Sequence, residues 1–243
     1  MEKLSTGLRI TKAGDDAAGL AVSEKMRAQI RGMEQAERNV QDGISMVQTA
    51  EGALEEAGNI AQRMRELGVQ AGNDTLSAED RTKVKEELTQ LQDEMKKISE
   101  ETKFNGKQLL NKAGASFTIQ AGANSETRTI KTADLSSIAN GLSTITISSS
   151  AEAQSFVTKV DNALTSITAA RSALGAMQNR LEYTANNLTT STENLTAAES
   201  RIRDVDVAKE MVTLSKLNIL NQASQAMVSQ AKQQPESVSQ LLR

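Results

Sequence analysis

No histidine and no cysteine occur among the 243 residues. That excludes disulfides, thiolate or imidazole metal ligands, and Ser-His-Asp or Cys-His catalysis. Proline is nearly missing as well. Pro235 stands alone near the end, so nothing upstream interrupts a long helix. Aromatic residues make up 2% of the chain, against 38% hydrophobic residues in total, so any core is aliphatic and thin. No apolar run approaches the roughly 20 residues of a membrane span. Met1-Glu2-Lys3 leads into a mixed sequence without the apolar stretch of a cleavable signal peptide, so export would use another route. The net charge is −3, with acids and bases interspersed. Without a basic run, neither nucleic acid nor a membrane surface is an expected partner.

What remains is rich in Ala, Gln, Asn, Ser, Thr and Glu, a composition suited to long helices. Gly14 followed by Asp15-Asp16 reads as a turn with a helix cap. The oxygen-ligand spacing of a calcium loop is missing there. From about Met33 a heptad emerges. One row holds Met33, Val40, Val47, Leu54, Ala61 and Gly68. The row three residues on holds Ala36, Gly43, Ala50, Ala57, Met64 and Ala71. Apolar positions alternating by three and four make a helix seam, and small residues in the second row allow close approach. AGNDTLSAED interrupts it as a loop, and Ser77 with Asp80 resembles a capping box. A second helix follows, with Val84, Leu88, Leu91, Met95 and Ile98 on one side.

Residues 115–148 change character. SFTIQAGANSETRTIKT alternates apolar and polar residues and reads as a small hairpin; ITIS at 145–148 reads as a further strand. Ser149 with Glu152 has capping-box spacing. Beyond it runs the longest heptad row: Val160, Ile167, Leu174, Leu181, Leu188, Leu195 and Ile202. A strict period of seven calls for a partner helix. The helix that carries this row is expected to return antiparallel along the first, with the second packed alongside. The last segment, from about Val205 to Gln234, spreads its apolar residues too widely for a lone solvated helix. Adjacent acids such as Glu55-Glu56 and Glu86-Glu87 do not face each other on a helix and read as solvated faces, not acid–base pairs.

The fold expected is therefore mainly α. It is a long antiparallel, coiled-coil-like rod of three helices (about 17–72, 78–101 and 150–203) with a β element at about 115–148. The rod would occupy 1–204, and a carboxy-terminal helix 205–243.

Long motifs tie this pattern to a known family. LSTGLRITKAGDDAAGLAVSEKMRAQIRGM, QDGISMVQTAEGALEE and QRMRELGVQAGN resemble the amino-terminal half of bacterial flagellin. LGAMQNRLEYTANNL, ESRIRDVDVAKEM and QASQAMVSQAKQQPESVSQLLR resemble its carboxy-terminal half. The resemblance implies a structural subunit of the bacterial flagellar filament. Such a subunit is extracellular, serves motility, needs no cofactor and is no enzyme. It also implies export in the unfolded state through the flagellar secretion apparatus and a dedicated export chaperone on the last helix. On that helix Val207, Met211, Leu214, Leu217, Ile219, Leu220, Leu241 and Leu242 would meet the chaperone or the filament core. The family further implies recognition by a toll-like receptor of the host through Arg63, Leu67 and Glu87. Gly68 stands where alanine is commoner, which would loosen that turn by roughly 1 kcal/mol. The family's extreme amino-terminal helix and its large outer domains have no counterpart in this sequence. A hook–filament junction protein shares flagellin-like termini but carries a larger, distinct middle.

Overall fold

In a computed structural model, residues 2–111 and 115–241 are described, with side chains as far as Ala231 in the last helix. Short α1 (Glu2–Thr6) leads to α2 (Ala17–Ala71) and α3 (Ala78–Glu101). Two antiparallel hairpins follow: β1 (Lys103–Phe104) with β2 (Lys107–Gln108), and β3 (Ser116–Gln120) with β4 (Thr127–Lys131). Then come α4 (Leu135–Gly141), α5 (Ser150–Arg203) and α6 (Val207–Leu241). The chain divides into two units, one of Met1–Ile30 with Glu193–Arg243 and one of Arg31–Thr192.

In the unit Arg31–Thr192, both heptad rows of α2 from Met33 to Ala71 are buried. Side-chain pairs show what they face. Thr189 donates to Glu37 at 3.2 Å, Arg171 reaches Glu51 and Glu55, and Arg65 meets Asp161 at 2.7 Å. Advancing along α2 thus means retreating along α5, so the two helices are antiparallel, as the heptads require. From α5, Val160, Ile167, Leu174, Leu181 and Leu188 are buried in this unit. Each such leucine is worth about 1.5–3 kcal/mol against exposure.

Two glycines of α2 differ sharply in purpose. A methyl at Gly68 would overlap Val157 and press on Phe156, so this glycine allows α5 to approach. Gly52 is exposed and faces open space. Gly52→Ala is therefore expected to stabilise by about 1 kcal/mol through helix propensity. Gly68→Ala gains the same propensity but must displace its neighbours, and a net loss is expected in urea melts of the two variants.

Helix α3 starts on the expected box. Ser77 Oγ accepts from the Asp80 amide at 3.2 Å, and the Asp80 carboxylate accepts from the Ser77 amide at 3.3 Å. The Ser77 hydroxyl, donating to the same carboxylate at 2.7 Å, and then the Ser77 amide hold the Asp80 carboxyl below its ordinary range. Val84, Leu88 and Met95 are buried, while Leu91 and Ile98 are half-buried because the inward stripe also takes Gln92 and Ser99. Gln92 donates to the Ala139 carbonyl of α4 at 3.4 Å. The largely buried Arg81 ties the loops at both ends of this corner together, donating to the carbonyls of Ser148 (3.0 Å) and Asn73 (3.2 Å).

The hairpins form where turn chemistry allows. Asn105 and Gly106 sit at φ 49 and 75, the two left-handed positions of a two-residue hairpin loop. The β3–β4 hairpin lies on α2. Asn39 donates to the Gln120 carbonyl at 3.2 Å, and the hairpin packs on Gly32 and Gly43, where a Cβ would collide with Ala123 and Ile119.

Two expectations fail here. The ITIS segment forms no strand among the described residues: Ile145 and Ile147 are buried, and the Ile145 amide donates to the Ser143 carbonyl at 3.2 Å rather than to a neighbouring strand. Its alternation reports one buried face, which an unpaired segment satisfies equally well. Helix α4 was not expected, although Asp134 caps it by accepting from the Ser137 amide at 3.0 Å.

Candidate assembly surface

The unit Met1–Ile30 with Glu193–Arg243 fixes the start of α6. Gly7, Leu8 and Arg9 run beside the α5–α6 junction. Val205 donates to the Gly7 carbonyl at 3.0 Å, and Arg9 donates its amide to the Arg203 carbonyl at 2.6 Å. The Arg9 guanidinium adds a bond to the Ile202 carbonyl. Behind the junction, buried Ser23 donates to Glu199 at 2.9 Å, and Arg203 pairs with Glu24 at 3.0 Å. Asp206 then begins the new helix, its carboxylate accepting from the Lys209 amide at 3.2 Å. Leu195 and Ile202, the last rows of the α5 heptad, lie in this unit and are only half-buried. The third helix and the hairpins that cover the seam elsewhere belong to the other unit.

Once started, α6 finds little to lie on. From Val207 to Ala231 only Glu210 and Leu214 are half-buried; every other side chain is exposed. Val207, Met211, Val212, Leu217, Ile219, Leu220, Met227 and Val228 are all more than half exposed. At 3.6 residues per turn, Val207, Met211 and Leu214 share one side, and Val212, Ile219, Leu220 and Met227 share the opposite side. Leu217 and Val228 fall between them. A helix that is apolar all round belongs in an interior. Val212, Ser215, Lys216, Ile219 and Leu220 also line a shallow groove. Their spacing of three and four is that of a seam waiting for a helix.

The backbone of α6 continues through Pro235 to Leu241. The Leu241 side chain and the whole of Leu242 lie outside the described residues.

The three residues singled out for a receptor fall on one corner of α2 and α3 but are not alike. Arg63 and Glu87 are exposed and paired at 2.9 Å, and Glu66 joins at 3.1 Å. Glu87 first, then Glu66, raise the Arg63 pKa further above its ordinary value. Leu67 is 2% exposed, part of the α2 seam.

Among the described residues no three acidic side chains gather to hold a metal ion. No described helix is long and apolar enough to cross a membrane. A helical bundle, with a long helix that among the described residues leaves most of its apolar side chains exposed, fits a structural protein built for assembly.

Comparison with known proteins gives the family. Residues 1–115 match the bacterial flagellin N-terminal helical region, and residues 157–242 match the bacterial flagellin C-terminal helical region. The chain is 54% identical to a flagellin of Halalkalibacterium halodurans over 246 residues, covering 100% of this chain and 90% of that one. It is 51% identical to a flagellin of Bacillus subtilis, covering 100% and 91%. It is 46% identical to the flagellar filament 33 kDa core protein of Treponema phagedenis, again covering 100% and 91%. A crystal structure of Bacillus cereus flagellin shares 37% identity at a TM-score of 0.57, over 67% of this chain and 94% of that one. A putative flagellar hook-associated protein from Vibrio parahaemolyticus, at 12% identity and a TM-score of 0.66, shares the fold, with 78% and 100% covered. The chain belongs to the bacterial flagellin family, whose members are structural filament proteins and not enzymes.

Proposed function

We propose that this chain is a self-assembling subunit of the extracellular flagellar filament and that α6 is the segment through which copies join. The observation that carries this reading is the ring of exposed apolar side chains on α6. Leaving so much apolar surface in water is unfavourable, and two opposite faces ask for more than one neighbour. Contacts between unlike faces that do not close into a ring generate an open helical filament, the form that serves motility. Adding the chain to filament fragments and viewing them by electron microscopy tests this. Lengthened fragments are expected; fragments that stay unchanged at every concentration contradict it.

The same helix explains how such a subunit would be handled before assembly. Val207, Met211, Leu214, Leu217, Ile219 and Leu220, with Leu241 and Leu242 beyond them, would be covered by an export chaperone. The chain would then pass unfolded through the flagellar export apparatus. The aliphatic core and the absence of disulfides suit repeated unfolding.

A host toll-like receptor would read the corner formed by Arg63 and Glu87, with Leu67 supporting it from within. Arg63→Asp is expected to weaken receptor binding about tenfold or more, because reversing the charge sets it against Glu66 and Glu87. Helicity should not change, since all three are exposed. Titration of the receptor ectodomain alongside circular dichroism checks both halves; equal binding by the variant would remove the assignment.

A further inference from the structure

Methionine is distributed unevenly over this molecule. Met33, Met46, Met64 and Met95 are buried in the bundle, and Met26 and Met177 are half-buried. Only two of the described methionines are exposed, Met211 at 53% and Met227 at 73%, and both are on α6. They stand on opposite sides of that helix. Met211 lies with Val207 and Leu214, and Met227 continues the side of Val212, Ile219 and Leu220. Each apolar face of α6 thus carries one thioether open to water.

Thioethers are soft and adaptable, which suits a surface that must fit several neighbours. They are also the groups in this cysteine-free chain most readily oxidised by peroxide. We infer that Met211 and Met227 form an oxidation-sensitive site, with peroxide-class oxidants as co-reactant, that controls whether the free subunit can assemble. This rests on the docking role of α6 proposed above.

The step balances simply. A sulfur lone pair attacks one peroxide oxygen, the O–O bond breaks, and an S–O bond forms. The thioether is oxidised to sulfoxide and the peroxide is reduced to water. The product is polar and a strong acceptor, set beside the exposed apolar side chains of each face. A second copy docking there must desolvate the sulfoxide without replacing its hydrogen bonds, which weakens the contact. Docking in turn covers both sulfurs, so a subunit already in place is protected. The sensitive interval is the one between folding and incorporation.

Trypsin separates the two sites: Met211 lies in the peptide of residues 210–216, Met227 in 217–232, and buried Met95 in 86–96. The free, folded chain is treated with hydrogen peroxide, and the oxidised fraction of each peptide is followed by mass spectrometry. Met211 and Met227 are expected to react at least about tenfold faster than Met95. Equal rates for all three overturn the inference without any assembly experiment. The oxidised chain is then added to filament fragments and should incorporate about tenfold less than untreated chain. Methionine sulfoxide reductase should restore it. A chain carrying Met211→Leu and Met227→Leu, a volume-conserving exchange, should incorporate equally before and after peroxide. Undiminished incorporation of the oxidised wild-type chain overturns the inference and leaves the docking role intact. Failure of the untreated chain to incorporate overturns the docking role, while the oxidation rates are read independently of it.

Discussion

Leu220→Asp is expected to reduce incorporation into filaments at least about a hundredfold while leaving the melting of the free chain unchanged. Leu220 is 51% exposed in the free chain, and the groove it lines has no occupant of its own. A surface substitution of that kind shifts folding stability by no more than about 0.5 kcal/mol. On the docking role proposed for α6, the same position is covered in an assembled copy. An aspartate there must shed its water against apolar neighbours, which costs several kcal/mol, and each 1.4 kcal/mol is a factor of ten in affinity. Sedimentation of chain bound to filament fragments, measured beside thermal unfolding, separates the two effects. Comparable loss in both would mean that α6 supports the fold of the single chain.

The largest effect on stability is expected at Leu181. It is fully buried between α5 and α2, packed over Gly43. Leu181→Ala leaves a hole that a glycine cannot fill from across the seam. The loss is expected to be about 3 kcal/mol, within the 2–5 kcal/mol usual for buried leucine truncation. That corresponds to a fall in Tm of roughly 6–12 °C for a chain of this size. Tyr183, two residues along and 75% exposed, is the internal comparison. Tyr183→Ala should stay within about 0.5 kcal/mol. Similar losses at both positions would show that the heptad row does not carry the packing of this unit.

Those two leucines also mark what sequence reading can reach. A period of seven is a statement about one face, so the rows from Met33 and Val160 pointed directly at the seam between α2 and α5. The start of α3 was legible because Ser77 and Asp80 announce a cap. Other features depended on partners that no local pattern names. Leu67 is apolar at a seam spacing beside exposed Arg63, and only the packing around it decides that it is buried. ITIS alternates like a strand, yet alternation records burial of one side and not the presence of a hydrogen-bonding neighbour. Helix α4 is too short for its period to be read, although Asp134 before Ser137 was an available signal. Gly52 and Gly68 look equivalent in sequence and differ only in what stands opposite. Met211 and Met227 drew no separate notice, since apolar spacing does not distinguish a thioether from a leucine.

Hydrogen exchange across α6, measured in the free chain and again after incorporation into filaments, tests the central claim most directly. Amides from Val207 to Ala231 should exchange readily in the free chain, because the helix has little packing to hold it, and should slow by at least about a hundredfold once neighbours cover both faces. Filaments that form while these amides continue to exchange at the free rate would contradict the claim that α6 is the joining segment.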